Sequence, residues 1–183
     1  MDGMIELLET IIELAGRSDQ DGFKALMPAS APMLFRRSLL EIGAHEGSIW
    51  IAIPASGHLV TCYNTQETGW PVAQALDSGL VCKAYKEERP IHHKGLHRYH
   101  GSSGDVDAYL EQRTQHQISV PFYICGRLCG ALSVVQLSSD FHSEPREDVP
   151  WGFNDEAIIL VAATATVIGE SIEANWKRMR NPQ

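Results

Sequence analysis

Residues Ile91 to His100 read IHHKGLHRYH and hold four of the chain's eight histidines. Three uses are open to such a run. Neutral imidazoles ligate transition metals, protonated ones hold anions, and solvent-facing ones do neither. His93, His97 and His100 fall at i, i+4 and i+7, which would place them on one face of a helix. Pro90 and Gly95 speak against that helix, because proline disfavours helix at the residue before it and glycine weakens it. No cysteine or carboxylate lies within the run to complete a metal set. Positive charge is plentiful instead. Arg89, His92, His93, Lys94, His97, Arg98, His100 and Arg113 stand close together in a chain of formal net charge −8. Such a cluster focuses potential at a cleft, and arginine can hold a carboxylate or phosphate through two parallel hydrogen bonds. These residues favour a small anionic ligand over a structural metal. Haem on one axial histidine, or a metal-binding sensor, stays open without a pattern that marks it, and the sequence names no cofactor.

Trp50, Trp70, Tyr85 and Tyr99 could supply the apolar or stacking walls of a small-molecule pocket. Core packing competes for each of them, most strongly for Trp50 within a strand. Catalysis finds little support. No nucleophile elbow, phosphate-binding glycine loop or paired-carboxylate pattern occurs. The four cysteines, Cys62, Cys82, Cys125 and Cys129, form no CxxC pair and suit reduced, non-catalytic thiols in a cytoplasmic protein.

The elements that must position these residues follow from length and periodicity. A chain of 183 residues with a 44% hydrophobic share suits a single domain with one core. The acidic balance argues against nucleic acid as a partner. The N-terminus lacks the basic start of a signal peptide. The run AIILVAATATVIG falls short of the ~20 apolar residues of a membrane span, so no membrane is expected. Helices are expected at Met4 to Ala15, at Asp21 to Met27, at Met33 to Ala44 beyond the breaks at Pro28 and Pro32, and at Leu80 to Glu88. A brief extended piece at Pro90 to His92 and a short helix over Asp105 to Gln115 follow. GSIWIAI and GHLVTCY read as a hairpin, as do QISVPFYI and RLCGALSVVQL around Cys125-Gly126. Regular pairing of the second hairpin would put Ile118, Val120, Phe122, Cys129, Ala131 and Ser133 on one face. Asn154 to Met179 is a long helix with acid at its start and base at its end. Its residues Ile158, Val161, Ala165, Ile168, Ile172, Asn175 and Met179 form a heptad seam. At ~39 Å it outruns a strand, so its far end, with Trp176 and Met179, is expected to meet a partner helix from a second copy.

Several segments in this order resemble a GAF domain over roughly residues 5 to 178. GLVCKAYKEERPI is similar to the family's glycine-opened short helix, proline and strand. SVPFYICGRLCGALSVVQL is similar to its last hairpin, Phe153-Asn154-Asp155-Glu156 to the start of its final helix, and AATATVIGESIEAN to that helix. The resemblance implies an α+β, GAF-like (PAS-related) fold. A central, mainly antiparallel sheet would carry the terminal helices on one face and a ligand pocket with loops and short helices on the other. It also implies a stand-alone sensory protein whose terminal helices dimerise and relay a signal. Its pocket would lie under the segment His92 to His116, with the histidine run as a lid.

Trp50, Trp70, Tyr85, His92, His93, His97, Tyr99, His100, Arg113 and His116 are then the candidate ligand-binding residues. No Cys-His dipeptide of chromophore-binding GAF domains is present, and the Asn-Lys half of the cyclic-nucleotide signature is missing. GLVC is similar to the Gly-Val-Cys of free methionine sulfoxide reductases. Their catalytic cysteine has no counterpart, since no Cys lies between Cys82 and Cys125. The expected function is a regulatory domain that binds a small, anionic metabolite and acts through dimer helices on a partner protein. The alternative is a ligand-free dimerisation scaffold.

Overall fold

In a computed structural model, residues 2–66, 71–94, 113–138 and 152–181 are described. Three helices come first: α1 (Asp2–Gly16), α2 (Gln20–Leu26) and α3 (Ser30–Ile42). A hairpin of β1 (Glu46–Ile53) and β2 (His58–Asn64) follows, then β3 (Ala73–Ala75), α4 (Gly79–Glu87) and β4 (Ile91–Lys94). The long hairpin of β5 (Arg113–Ile124) and β6 (Arg127–Ser138) leads on to α5 (Asp155–Arg180). The strands form one sheet in the order β3-β2-β1-β6-β5-β4, and all of its neighbouring pairs are antiparallel.

Local chemistry sets the helix ends. Asp19 accepts the Gly22 N–H at 2.8 Å to start α2, and Asn154 accepts the Ala157 N–H at 2.8 Å to start α5. Gly43, at φ 68°, ends α3 in the left-handed region. Pro32 does not break α3. It falls in the first turn, where the backbone N–H it lacks would have no intrahelical partner anyway, so α3 begins at Ser30 and not at Met33.

The second hairpin departs from its expected register. Cys125 (φ 53°) and Gly126 (φ 66°) form the two-residue turn, with both central residues at positive φ as a type I′ hairpin requires. Tyr123 then faces Leu128, but Phe122 faces Gly130. Cys129 is the extra residue of a bulge, and every later side chain of β6 changes face. Leu132 and Val134, not Ala131 and Ser133, therefore join Val120 and Ile118. Gly130 follows the bulge because β1 crosses there. A Cβ on it would lie 1.8 Å from the Trp50 carbonyl oxygen.

The sheet thus separates two apolar clusters. On the outer face Ile49, Ile51, Ile118, Val120, Phe122, Leu132 and Val134 pack with α1, α2, α3 and α5. On the inner face Trp50, Ala52, Leu59 and Ala131 pack with Val81 and Cys82 of α4. The heptad stripe of α5 belongs to the outer core. Val161, Ala165, Ile168 and Ile172 are all buried within the chain. The chain itself covers part of the far end, where Trp176 is half-buried and Met179 is 48% exposed. Trp176 Nε1 donates to the Gly3 carbonyl at 2.9 Å, and Asn175 donates to the Leu26 carbonyl at 3.1 Å. By length and composition, α5 is the one helix among the described residues that could cross a membrane, with a mean hydropathy of 1.6 over its most apolar window. Its buried stripe accounts for that composition. Arg113 to Gln115 are strand, not helix. The rest of that expected helix lies outside the described residues.

Gly169 lets α5 lie against the hairpin, since a Cβ there would sit 2.1 Å from the Tyr123 carbonyl oxygen. Gly169→Val forces helix and strand apart. It is expected to lower stability by about 1–3 kcal/mol in urea denaturation, whereas Val at the exposed position 163 should cost well under that.

Candidate functional site

Strand register brings polar residues together on the inner face that the sequence did not single out. Directly opposed residues share a face. Ser48 faces Ser133, Ser133 faces Ser119, and Ser119 faces Ile91. One step along, Glu46 faces Val135, Val135 faces Gln117, and Gln117 faces His93. Two adjacent rows thus cross β1, β6, β5 and β4 and carry three serines, a glutamine, a glutamate and a histidine. Ser119 and Ser133 are 0% and 2% exposed. Burial at that level demands hydrogen bonds. Gln117 Nε2 donates to both hydroxyls at 2.9 Å, and the two hydroxyls lie 3.1 Å apart. Trp50 Nε1 donates to Ser48 Oγ at 2.8 Å. Burial raises the pKa of Glu46, and a side-chain hydrogen bond with Gln66 only partly offsets this. A carboxyl so placed is held toward its neutral form, in which it can donate to an acceptor.

The sequence-derived candidates divide among several places. His93 belongs to the polar rows. His92 and His116 leave the sheet on the other side, paired with Ile118 and Lys94 respectively, and His92 rests on Phe153 with ring centroids 6.1 Å apart. β4 runs on through His93 and Lys94, so these histidines are strand residues and not part of a loop. Trp50 lies on the inner face, but its ring is buried in the apolar cluster. Tyr85 packs on the edge of that cluster and lines a cavity of about 260 Å³ at the opposite end of the sheet, with Leu8, Ile12, Pro54, Arg127 and Cys129. Arg113 pairs with Ser138 through β5 and β6. Trp70, His97, Tyr99 and His100 lie outside the described residues. Among the described residues, no group of three or more His, Cys, Asp or Glu is placed to hold a metal.

Every cysteine of the chain is described, and none is activated. Burial pushes the Cys62 thiol up to about 12 and those of Cys82 and Cys129 to about 11. Burial and Glu173 raise Cys125. Cys82 Sγ donates to the Ala75 carbonyl at 3.2 Å. A thiol nucleophile must be a thiolate, and these environments hold all four protonated. With a disulfide reagent at pH 7.5, Cys129 should react about 100-fold more slowly than an unperturbed thiol. Denatured, unreduced protein should titrate four thiols.

No protein-family profile matches the chain, and no curated protein matches it either. Solved structures do. The GAF domain of a phosphoenolpyruvate-protein phosphotransferase from Coxiella burnetii superposes with a TM-score of 0.61 at 16% identity, covering 98% of each chain. The GAF domain of a two-component sensor histidine kinase from Bacillus halodurans gives a TM-score of 0.54 at 11% identity, covering 81% of this chain and 95% of that one. The free methionine-R-sulfoxide reductase of Neisseria meningitidis, solved with its substrate, gives 0.56 at 14% identity, covering 95% and 90%. At these identities the likeness is one of architecture: the chain has the GAF-domain fold.

Proposed function

We propose that the chain is a regulatory sensing domain whose inner sheet face is the floor of a site for a small polar molecule. The observation that carries this reading is the polar band of buried Ser119, Ser133 and Glu46 with half-buried Gln117, Ser48 and His93. An apolar sheet face would pack against α4 at lower cost, because every buried polar group must find a partner. The phosphotransferase and sensor-kinase GAF domains that share the fold support a regulatory role. An anionic ligand fits both the positive residues between Arg89 and Arg113 and the floor itself. The serines and His93 can each donate a hydrogen bond to it, and the raised pKa of Glu46 lessens the repulsion of an anion there. A ligand-free scaffold is the second reading, favoured by the way Gln117, Ser119 and Ser133 already satisfy one another. A reductase reading has fold-mates but needs a thiolate, and all four thiols are raised in pKa.

β4 offers a route from floor to output. Ile91 and His93 face the floor, while His92 and Lys94 face the start of α5, so a shift of this edge strand is felt on both sides. A partner protein would read α5. A second copy of the chain is proposed to dock on the outer helices. Leu40 and Met33 of α3 are 73% and 66% exposed, and Ile159 of the adjoining α5 is 69% exposed. Large apolar side chains left open on neighbouring helices suit an interface.

Native mass spectrometry of the purified protein tests the ligand site. The expected result is an added small mass that is lost in Ser133→Leu, which fills the floor, and kept in His58→Ala, a half-buried position on β2. An unmodified mass under the gentlest conditions, together with no stabilisation by any of a panel of carboxylate and phosphate metabolites, would favour the scaffold. For the dimer, light scattering at micromolar concentration should show two copies for the native chain and one for Leu40→Glu, Ile159→Glu. A native monomer would remove that part of the proposal.

A further inference from the structure

Three histidines, His45, His92 and His116, lie toward the end of the sheet where α5 begins, and His116 acts on His92. Gln136 of β6, 1% exposed, ties this end together. Its Nε2 donates to the Gly43 carbonyl at the end of α3 at 3.0 Å, and its Oε1 accepts the Gly152 N–H at 2.8 Å. Beside it, Leu137 donates its N–H to His45 Nδ1 at 2.8 Å. His116 lies under Gly152, where an added Cβ would be 3.7 Å from the ring. His92 packs at 59° against Phe153, which is buried immediately before the Asn154 cap.

The bond from Leu137 works only with a neutral imidazole at position 45, and a proton on His92 would add charge to a partly buried site that is already positive. His45 Nδ1 accepts a hydrogen bond, and a protonated ring has no lone pair left to do so. His92 faces Lys94 on its own strand and His116 on β5. His93 stands next to it in sequence, and among the described residues Asp155 on α5 is the opposing charge. The first turn of α5 adds its own partial positive charge. Burial lowers the pKa of His92, with Lys94 and His116 adding to the effect, and partial desolvation lowers that of His45, whose side chain stays largely exposed.

We propose that this end of the sheet is a proton-operated clasp. When His45 and His92 take up protons in mildly acid conditions, Leu137 loses its acceptor and a charged His92 is set against Lys94 and the positive end of α5. The start of α5 then loosens from β4 and β6. The domain would thereby report acidity through α5 whether or not the inner face holds a ligand.

The sign follows from linkage. Both groups bind protons more weakly in the clasped form than in the open one. The clasp is therefore intact above the ordinary histidine range and is lost progressively as pH falls below ~6.5.

Hydrogen exchange of the full chain without ligand tests this at pH 7.5 and 5.5, after correction for the intrinsic exchange rate. Amides of residues 157 to 160 should lose protection by about tenfold at the lower pH, while those of β1 and β2 hold theirs. His45→Gln, His92→Phe keeps an acceptor for Leu137 and a ring against Phe153 without a titratable group. It should hold full protection at both pH values. Equal protection of the native chain at the two pH values would overturn the proposal, as would the same loss in the double variant or a loss spread evenly over the molecule. Should the double variant not fold, histidine NMR titration of the native chain decides. Midpoints for His45 and His92 below ~6.5 support the clasp, and midpoints at or above that value refute it.

Discussion

Alternation along three adjacent strands governs the rest of this structure. In β4, β5 and β6 each side chain leaves the sheet opposite to its neighbour. Whatever fixes their register therefore decides which residues build a site and which build a core. Cys129 fixes it. Its bulge turns Leu132 and Val134 outward to the helical core and Ala131 and Ser133 inward, and Gly130 beside it lets the Trp50 carbonyl of β1 come close enough to continue the sheet. Remove the extra residue, and Ser133 would be pressed into the apolar layer under α5, away from Ser119. Leu132 and Val134 would line the inner face instead.

The outer face shows what that layer must accommodate. α5 crosses β5 at Gly169 with no room for a side chain, and Ser38 and Thr164 share a 2.8 Å hydrogen bond between hydroxyls where α3 meets it. The helix is thus held along much of its length by its own chain. α1 closes over its far end through Trp176, and Gln136 and Phe153 hold its start. A helix anchored at both ends against a sheet can pass on a shift of that sheet as a rigid body.

Much of the fold was legible from periodicity and punctuation. Both hairpins, the short helix ended near Pro90 and the long last helix all carry local signals, and local signals suffice where neighbours in sequence decide the outcome. Pro32 misled because a proline in a first turn reads like a breaker until the position of Ser30 is known. The bulge was not legible. Nothing in RLCGALSVV marks Cys129 as the extra residue, since the shift is defined only by the pairing of Tyr123 with Leu128 and of Phe122 with Gly130. The candidate site suffered for the same reason. Serines at 119 and 133 read as ordinary strand residues until register faces them to each other. Two adjacent histidines read as one cluster until strand geometry sends them to opposite faces. Trp50 and Tyr85 announced themselves as aromatic, which is equally a core signal, and core is where Trp50 went.

The central claim is that the two faces have separate tasks, the inner for recognition and the outer for the core and output. Side-chain NMR of Gln117 tests it most directly, because its amide donates to both floor serines and has no part in the outer core. Stepwise addition of whatever small molecule accompanies the protein should move the Gln117 amide and the Trp50 indole signals first and furthest, with His116 and Trp176 nearly still. Shifts confined to the outer face, with Gln117 unmoved at saturation, would contradict the account.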